Sequence, residues 1–168
     1  IAGNEAEFSG KPFAPIFREA KESGLKITVH AGEWGGAENV REAIEVLGAD
    51  RIGHGVRVLE DPDVVALAKE RGTVFEVCVT SNHQSGVTPT LKAHPLPKMI
   101  KAGLKTTINT DDPSISRIFL SSEFQMAYEK LGLSMKNLKE QTLNAVNAAF
   151  VSEEKREILV KEFKKGLE

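Results

Sequence analysis

Five side chains of types that move protons or hold metal ions stand just past short aliphatic runs in this 168-residue sequence. His30 follows "ITV" and Glu33 comes three positions later; His54 follows "RIG"; Asp111 and Asp112 follow "TTIN". An imidazole and a carboxylate converging on one mouth are good ligands for zinc or a similar divalent ion, and His30 and Asp111 suit that role. They are two, whereas a catalytic zinc usually takes about three ligands from protein. Glu33, beyond the turn from His30, is placed to face a substrate as proton donor or acceptor. His54 could orient or deprotonate a water whose acidity the ion has raised. Asp112 projects differently from its neighbour and is free to bind substrate.

Each of these residues also has a plain structural reading. A lone histidine at a strand end is more often a satisfied structural residue than a ligand. Asp112-Pro113 is also a helix cap or turn signal. What favours chemistry is recurrence at successive strand ends. Other residues stay with the plain reading. Cys78 reads as core packing without an adjacent base. His83 is expected near the mouth, where it could touch substrate, His94 beside Pro95 is not expected to touch substrate, and Trp34 is expected at the pocket or its rim.

The elements that must position these groups can be read from periodicity and punctuation. Residues 11–23 suit a helix, with Phe13, Phe17 and Ala20 on one face and Gly24 as its stop. Strands are expected at 26–30, 51–55, 73–79 and 104–109. Between them lie a helix at 38–47, a helix capped by Asp61 with Pro62 first and Gly72 ending it, a long polar loop to residue 94, and a short helix ending at Gly103. From residue 119 onward the chain reads as helices broken near Gly132 and Ser152, with Ser134 and Ser152 as N-caps. Strands alternating with helices imply parallel pairing, because each helix is a crossover. Polar groups at the carboxyl ends of several successive strands favour a (β/α)8 barrel over an open sheet, which concentrates its ligands at one switch point.

A net charge of −2 argues against a nucleic-acid or anionic-membrane surface. No window approaches the roughly 20 apolar residues of a membrane span. A single cysteine excludes an internal disulfide and fits a reducing compartment, so the cytoplasm is expected.

Four motifs, taken in order, resemble the adenosine deaminase family: "HAGE" at 30–33, "RIGHG" at 51–55, "SN" at 81–82 and "NTDDP" at 109–113. The opening "AGNE" resembles the "AGxE" segment that precedes the family's fifth strand. The resemblance implies a zinc-dependent (β/α)8 hydrolase that converts adenosine to inosine and ammonia. It implies His30 and Asp111 as zinc ligands and Glu33 as proton donor to the purine ring nitrogen. It further implies that His54 positions and helps deprotonate the attacking water, that Asp112 contacts the imidazole side of the purine, and that the Gly3 backbone donates to a ring nitrogen.

The sequence departs from that pattern in one large respect. The His-x-His pair that supplies two more zinc ligands from the family's first strand is absent. The resemblance therefore implies the C-terminal half of the barrel, strands five to eight with extra C-terminal helices, and makes residues 1–168 half of one domain. One zinc per complete barrel is expected. The implied partners are a purine nucleoside and an N-terminal half-barrel carrying His-x-His, or a second copy of this chain. Such a half is expected to have open edge strands and an uncovered apolar interior. Rival expectations are a non-catalytic or self-assembling half-barrel, and another amidohydrolase-type deaminase acting on adenine or a modified adenosine.

Overall fold

Parallel strands cannot be joined by tight turns, so each needs a crossover that returns the chain to the same end of the sheet. The computed structural model, which describes residues 1–168, follows that rule throughout. A 3-10 turn at Lys11–Phe13 leads into α1 (Ala14–Glu22), then β1 (Thr28–Ala31), α2 (Ala37–Glu45), β2 (Arg51–His54), α3 (Pro62–Arg71) and β3 (Val74–Val77). Next come α4 (Val79–Gln84), α5 (Leu96–Lys101), β4 (Lys105–Ile108), the short α6 (Pro113–Ser116), α7 (Leu120–Glu129), α8 (Met135–Ala148) and α9 (Glu153–Gly166). The four strands pair in chain order and all in parallel. This is the α/β class and strand order expected from the sequence.

Register decides which residues share a face. Val29, Ile52, Phe75 and Thr106 align across the sheet, and none is more than 3% exposed. They form one layer of a core with Val40 and Ile44 of α2 and Val64 and Ala68 of α3. The alternate row, His30, Gly53, Glu76 and Thr107, points the other way. That second face was expected to be apolar, and the structure corrects this. Thr28 Oγ1 donates to Glu76 Oε2 at 2.9 Å, and Arg51 Nε stands 3.1 Å from Glu76 Oε1, so the face carries its own ion pair. Exposed apolar side chains gather instead on the flanking segments, Phe8, Phe13 and Ile16 before β1 and Ile115, Phe119 and Leu120 after β4. Ile1 lies along the β1 edge, where its amine donates to Thr28 O and its carbonyl accepts from His30 N.

Helix ends follow local signals closely. Asp61 Oδ1 accepts from Asp63 N at 2.8 Å, Pro62 opens α3, and Gly72 closes it at φ 66°. Ser134 and Ser152 cap α8 and α9 as expected. The stretch expected to be a polar loop after residue 79 is different, because it begins with α4. "VTSNHQ" has no apolar periodicity that would announce a helix. Its first turn is held from outside: Glu123 of α7, fully buried, accepts from the Thr80 N–H at 3.0 Å and from the Thr80 hydroxyl. A tertiary carboxylate occupies the position that a local cap would otherwise fill.

Candidate active site

The carboxyl ends of the strands approach each other closely because glycine lines them. A Cβ on Gly32 would meet Val40 Cγ2 at 2.4 Å, and one on Gly55 would meet the Phe75 ring at 2.2 Å; both residues have left-handed φ. Two chemically active residues share that conformation without being glycine, His54 at φ 64° and Asp111 at φ 59°. For side chains with a Cβ this costs on the order of 1–2 kcal/mol each. Strict alternation would carry His54 to the helix side with Ile52. Its backbone turn instead brings its ring edge-on to His30, with centroids 4.8 Å apart.

His30, Glu33 and His54 form the tight cluster, with one potential ligand atom from each lying within 4.8 Å of the others. His30 Nε2 is 3.8 Å from Glu33 Oε2, and His54 Nδ1 is 3.5 Å from Glu33 Oε1. Asp111 reaches the cluster through His54, its Oδ2 standing 3.8 Å from Nε2, and accepts from Ser81 Oγ at 2.8 Å. His30 Nε2 is buried and has no hydrogen-bond partner. A bare, aimed imidazole nitrogen beside carboxylates is what a divalent cation requires, so the donor set fits a metal. Burial holds His54 below the ordinary imidazole value, with the Glu33 carboxylate opposing that shift. Burial likewise pushes the Cys78 thiol far up, which keeps it a protonated packing residue as expected.

Three residues behind the cluster were assigned no task in the sequence reading, although Glu5 lies in its "AGNE" segment and Asn82 in its "SN" motif. Glu5, its side chain 7% exposed, accepts from the N–H groups of Gly32 (2.7 Å), Glu33 (2.7 Å) and Trp34 (2.9 Å), and so fixes the turn that carries Glu33. Asn82 on α4 is fully buried and touches Glu33, His54 and His94. His94, not expected to touch substrate, is 3% exposed and joins this network behind Asn82, whereas His83, expected near the mouth, is exposed and bonded to Thr88 O. Replacing Glu5 with glutamine sets an NH2 against one of the three main-chain donors. The expected cost is about 2 kcal/mol of stability, seen as a lower urea midpoint at unchanged m. An unchanged midpoint would show that the turn holds without the carboxylate.

The adenosine deaminase family model matches residues 1–165. The chain belongs to the adenosine deaminase family. It is 42% identical over 156 residues to the adenosine deaminase of Erwinia tasmaniensis, covering 93% of this chain and 47% of that protein. In structure it resembles the adenine deaminase of Arthrobacter aurescens, with a TM-score of 0.93 at 30% identity, over 99% of this chain and 51% of the other. A Burkholderia ambifaria amidohydrolase with bound Zn superposes at a TM-score of 0.91 and 28% identity, over 99% and 47%. The chain thus spans about half the length of the relatives it matches, and its four-stranded sheet takes its place as half of a (β/α)8 barrel.

The remaining expected site residues lie outside the tight cluster. Asp112 is exposed at the N-cap position of α6, and no side-chain hydrogen bond holds it there. Gly3, exposed at φ 142°, shares with His30 a cleft of ≈ 260 Å³ between the opening loop and β1. Trp34 is 51% exposed at the rim.

Proposed function

We propose that residues 1–168 form half of one barrel domain and supply most of the catalytic groups of a hydrolytic deaminase acting on a 6-aminopurine, adenosine first among them. The observation that carries this reading is the convergence of His30 and Glu33 from the end of β1 with His54 from the end of β2, beside an unpartnered buried nitrogen. His30 and Asp111 would hold a zinc ion, with two further histidines of a His-x-His pair from an N-terminal half-barrel or its equivalent. When bound, the ion makes water acidic enough to act as a nucleophile near neutral pH. The reaction adds water across the ring: oxygen bonds to the amine-bearing carbon and one proton reaches the adjacent ring nitrogen; the carbon–nitrogen bond then breaks as the amine takes the proton left on that oxygen, releasing ammonia and leaving a carbonyl. Glu33 Oε2, the carboxyl oxygen on the His30 side, is placed to deliver the ring proton. His54 directs the attacking oxygen from the opposite side of the cluster, Asp112 contacts the imidazole side of the purine, and the Gly3 N–H reaches a ring nitrogen. The lone buried thiol of Cys78 is the support for a cytoplasmic setting.

Relatives with adenosine and with adenine in their names share this fold, so the test supplies both compounds to the complete zinc-loaded enzyme that carries this chain. Loss of the adenosine absorbance with one ammonia per turnover is expected. Adenine turned over in preference would move the substrate to the free base, and no turnover of either would sink the reading.

A further inference from the structure

We propose that His94 is a positioning residue which, through the amide of Asn82, sets the nitrogen of His54 and the oxygen of Glu33 that carry protons. The inference rests on the deaminase reading for the identity of the reacting groups and goes beyond it in saying how their protons are placed.

The direction of each hydrogen bond follows from one fixed point. The Leu96 main-chain N–H donates to His94 Nδ1 at 3.1 Å. A main-chain N–H can only donate, so Nδ1 is bare and neutral His94 carries its hydrogen on Nε2. That nitrogen faces Asn82 Oδ1 at 3.3 Å, and a carbonyl oxygen can only accept. The Asn82 carbonyl is therefore committed to His94, and its NH2 must point the other way. There Nδ2 stands 2.7 Å from Glu33 Oε1 and 3.0 Å from His54 Nδ1.

Two consequences reach the chemistry. Glu33 Oε1 accepts from Asn82 and also from Ser85 Oγ at 3.3 Å, so a proton on this carboxyl belongs on Oε2. His54 Nδ1 accepts, so the neutral ring holds its hydrogen on Nε2, the nitrogen 3.8 Å from Asp111 Oδ2. An imidazole in that state donates into the mouth; it neither takes a proton at Nε2 nor ligates a cation through it. Metal-bound histidines show the opposite arrangement, in which the second nitrogen donates to an acceptor. Within the cluster, this leaves His30 Nε2 as the free imidazole ligand and gives His54 the part of orienting the oxygen nucleophile by donation.

The network is buried throughout, with Asn82 at 0%, His94 at 3%, and His54 and Glu33 at 4% exposure. Water is not available to rescue a flipped amide, which would set NH2 against the His94 N–H and a carbonyl against the Glu33 carboxyl. Burial, with a smaller contribution from His83, lowers His94 to about 4, so it is neutral near pH 7 and keeps Nδ1 bare. Glu123 anchors the first turn of α4 and holds Asn82 between its partners.

The test reads ring tautomers directly. In the complete zinc-loaded enzyme labelled with 15N-histidine, two-bond N–H correlations at neutral pH should show His54 and His94 both as Nε2–H. His94→Phe keeps a ring but removes both nitrogens; it should mix the His54 tautomers and lower kcat on the order of 10-fold at unchanged KM. His94→Gln, whose amide N–H can reach the same carbonyl, should restore both readouts. A wild-type His54 found as Nδ1–H overturns the proposal, as does a folded His94→Phe protein with wild-type tautomers and kcat. Should His94→Phe fail to fold, the wild-type spectrum decides alone. Expected tautomers in a protein that deaminates nothing would remove the deaminase reading and leave the relay standing; an active enzyme with the other tautomers would do the reverse.

Discussion

Glu33→Gln in the complete enzyme should lower kcat by about 10²–10⁴ while KM moves little, because it removes a proton donor and leaves the shape of the site in place. The glutamine carbonyl can still accept from Asn82 Nδ2 and Ser85 Oγ, the two donors that hold Glu33 Oε1. The backbone at this position is held independently, by Glu5 accepting from the Glu33 N–H. What changes is the other oxygen: an amide NH2 at the place of Oε2 can offer a hydrogen bond but cannot release a proton to a ring nitrogen. Steady-state kinetics on adenosine, with a melting curve to show that the fold is intact, make the comparison. A variant with wild-type kcat would take Glu33 out of the mechanism.

His30→Ala should have an effect at least as large by a different route. His30 Nε2 is the buried nitrogen without a partner, and removing it deletes a ligand while leaving nearby acidic groups, among them Glu5 Oε1 at 3.6 Å, without a cation between them. Metal assistance contributes several kcal/mol to such a hydrolysis, so kcat/KM should fall by about 10³ or more. Zinc retained after dialysis should fall well below one per barrel. Metal analysis and activity on the same preparation separate this outcome from the Glu33 variant, which should keep its zinc. A His30→Ala protein with full zinc would instead point to the His54 and Glu33 atoms of the cluster as ligands.

These expectations depend on different depths of the molecule. Strand-end groups can be read along the chain because β-strands are short and end in turns, and a histidine or aspartate after an aliphatic run is visible at once. The caps of α3, α8 and α9 are equally legible, since Asp61, Ser134 and Ser152 bond to N–H groups two or three residues away. The partners of the supporting groups are not. Glu5 reaches its donors across 27 to 29 residues, Glu123 reaches Thr80 across 43, and Asn82 reaches Glu33 across 49. In the linear sequence a buried asparagine or glutamate is identical to a solvated one.

The sequence by itself determined the order of parallel βα units, the helix boundaries set by caps and glycines, and which residue types stand at the strand ends. Tertiary structure alone decided that "VTSNHQ" is helical, that the second face of the sheet carries an Arg51–Glu76 pair, that His54 turns back toward His30, and that His94 belongs to the site. The division has a physical cause. Periodicity and capping act within a few residues, whereas a buried polar group must find its partner wherever packing brings one, and burial makes that partner obligatory.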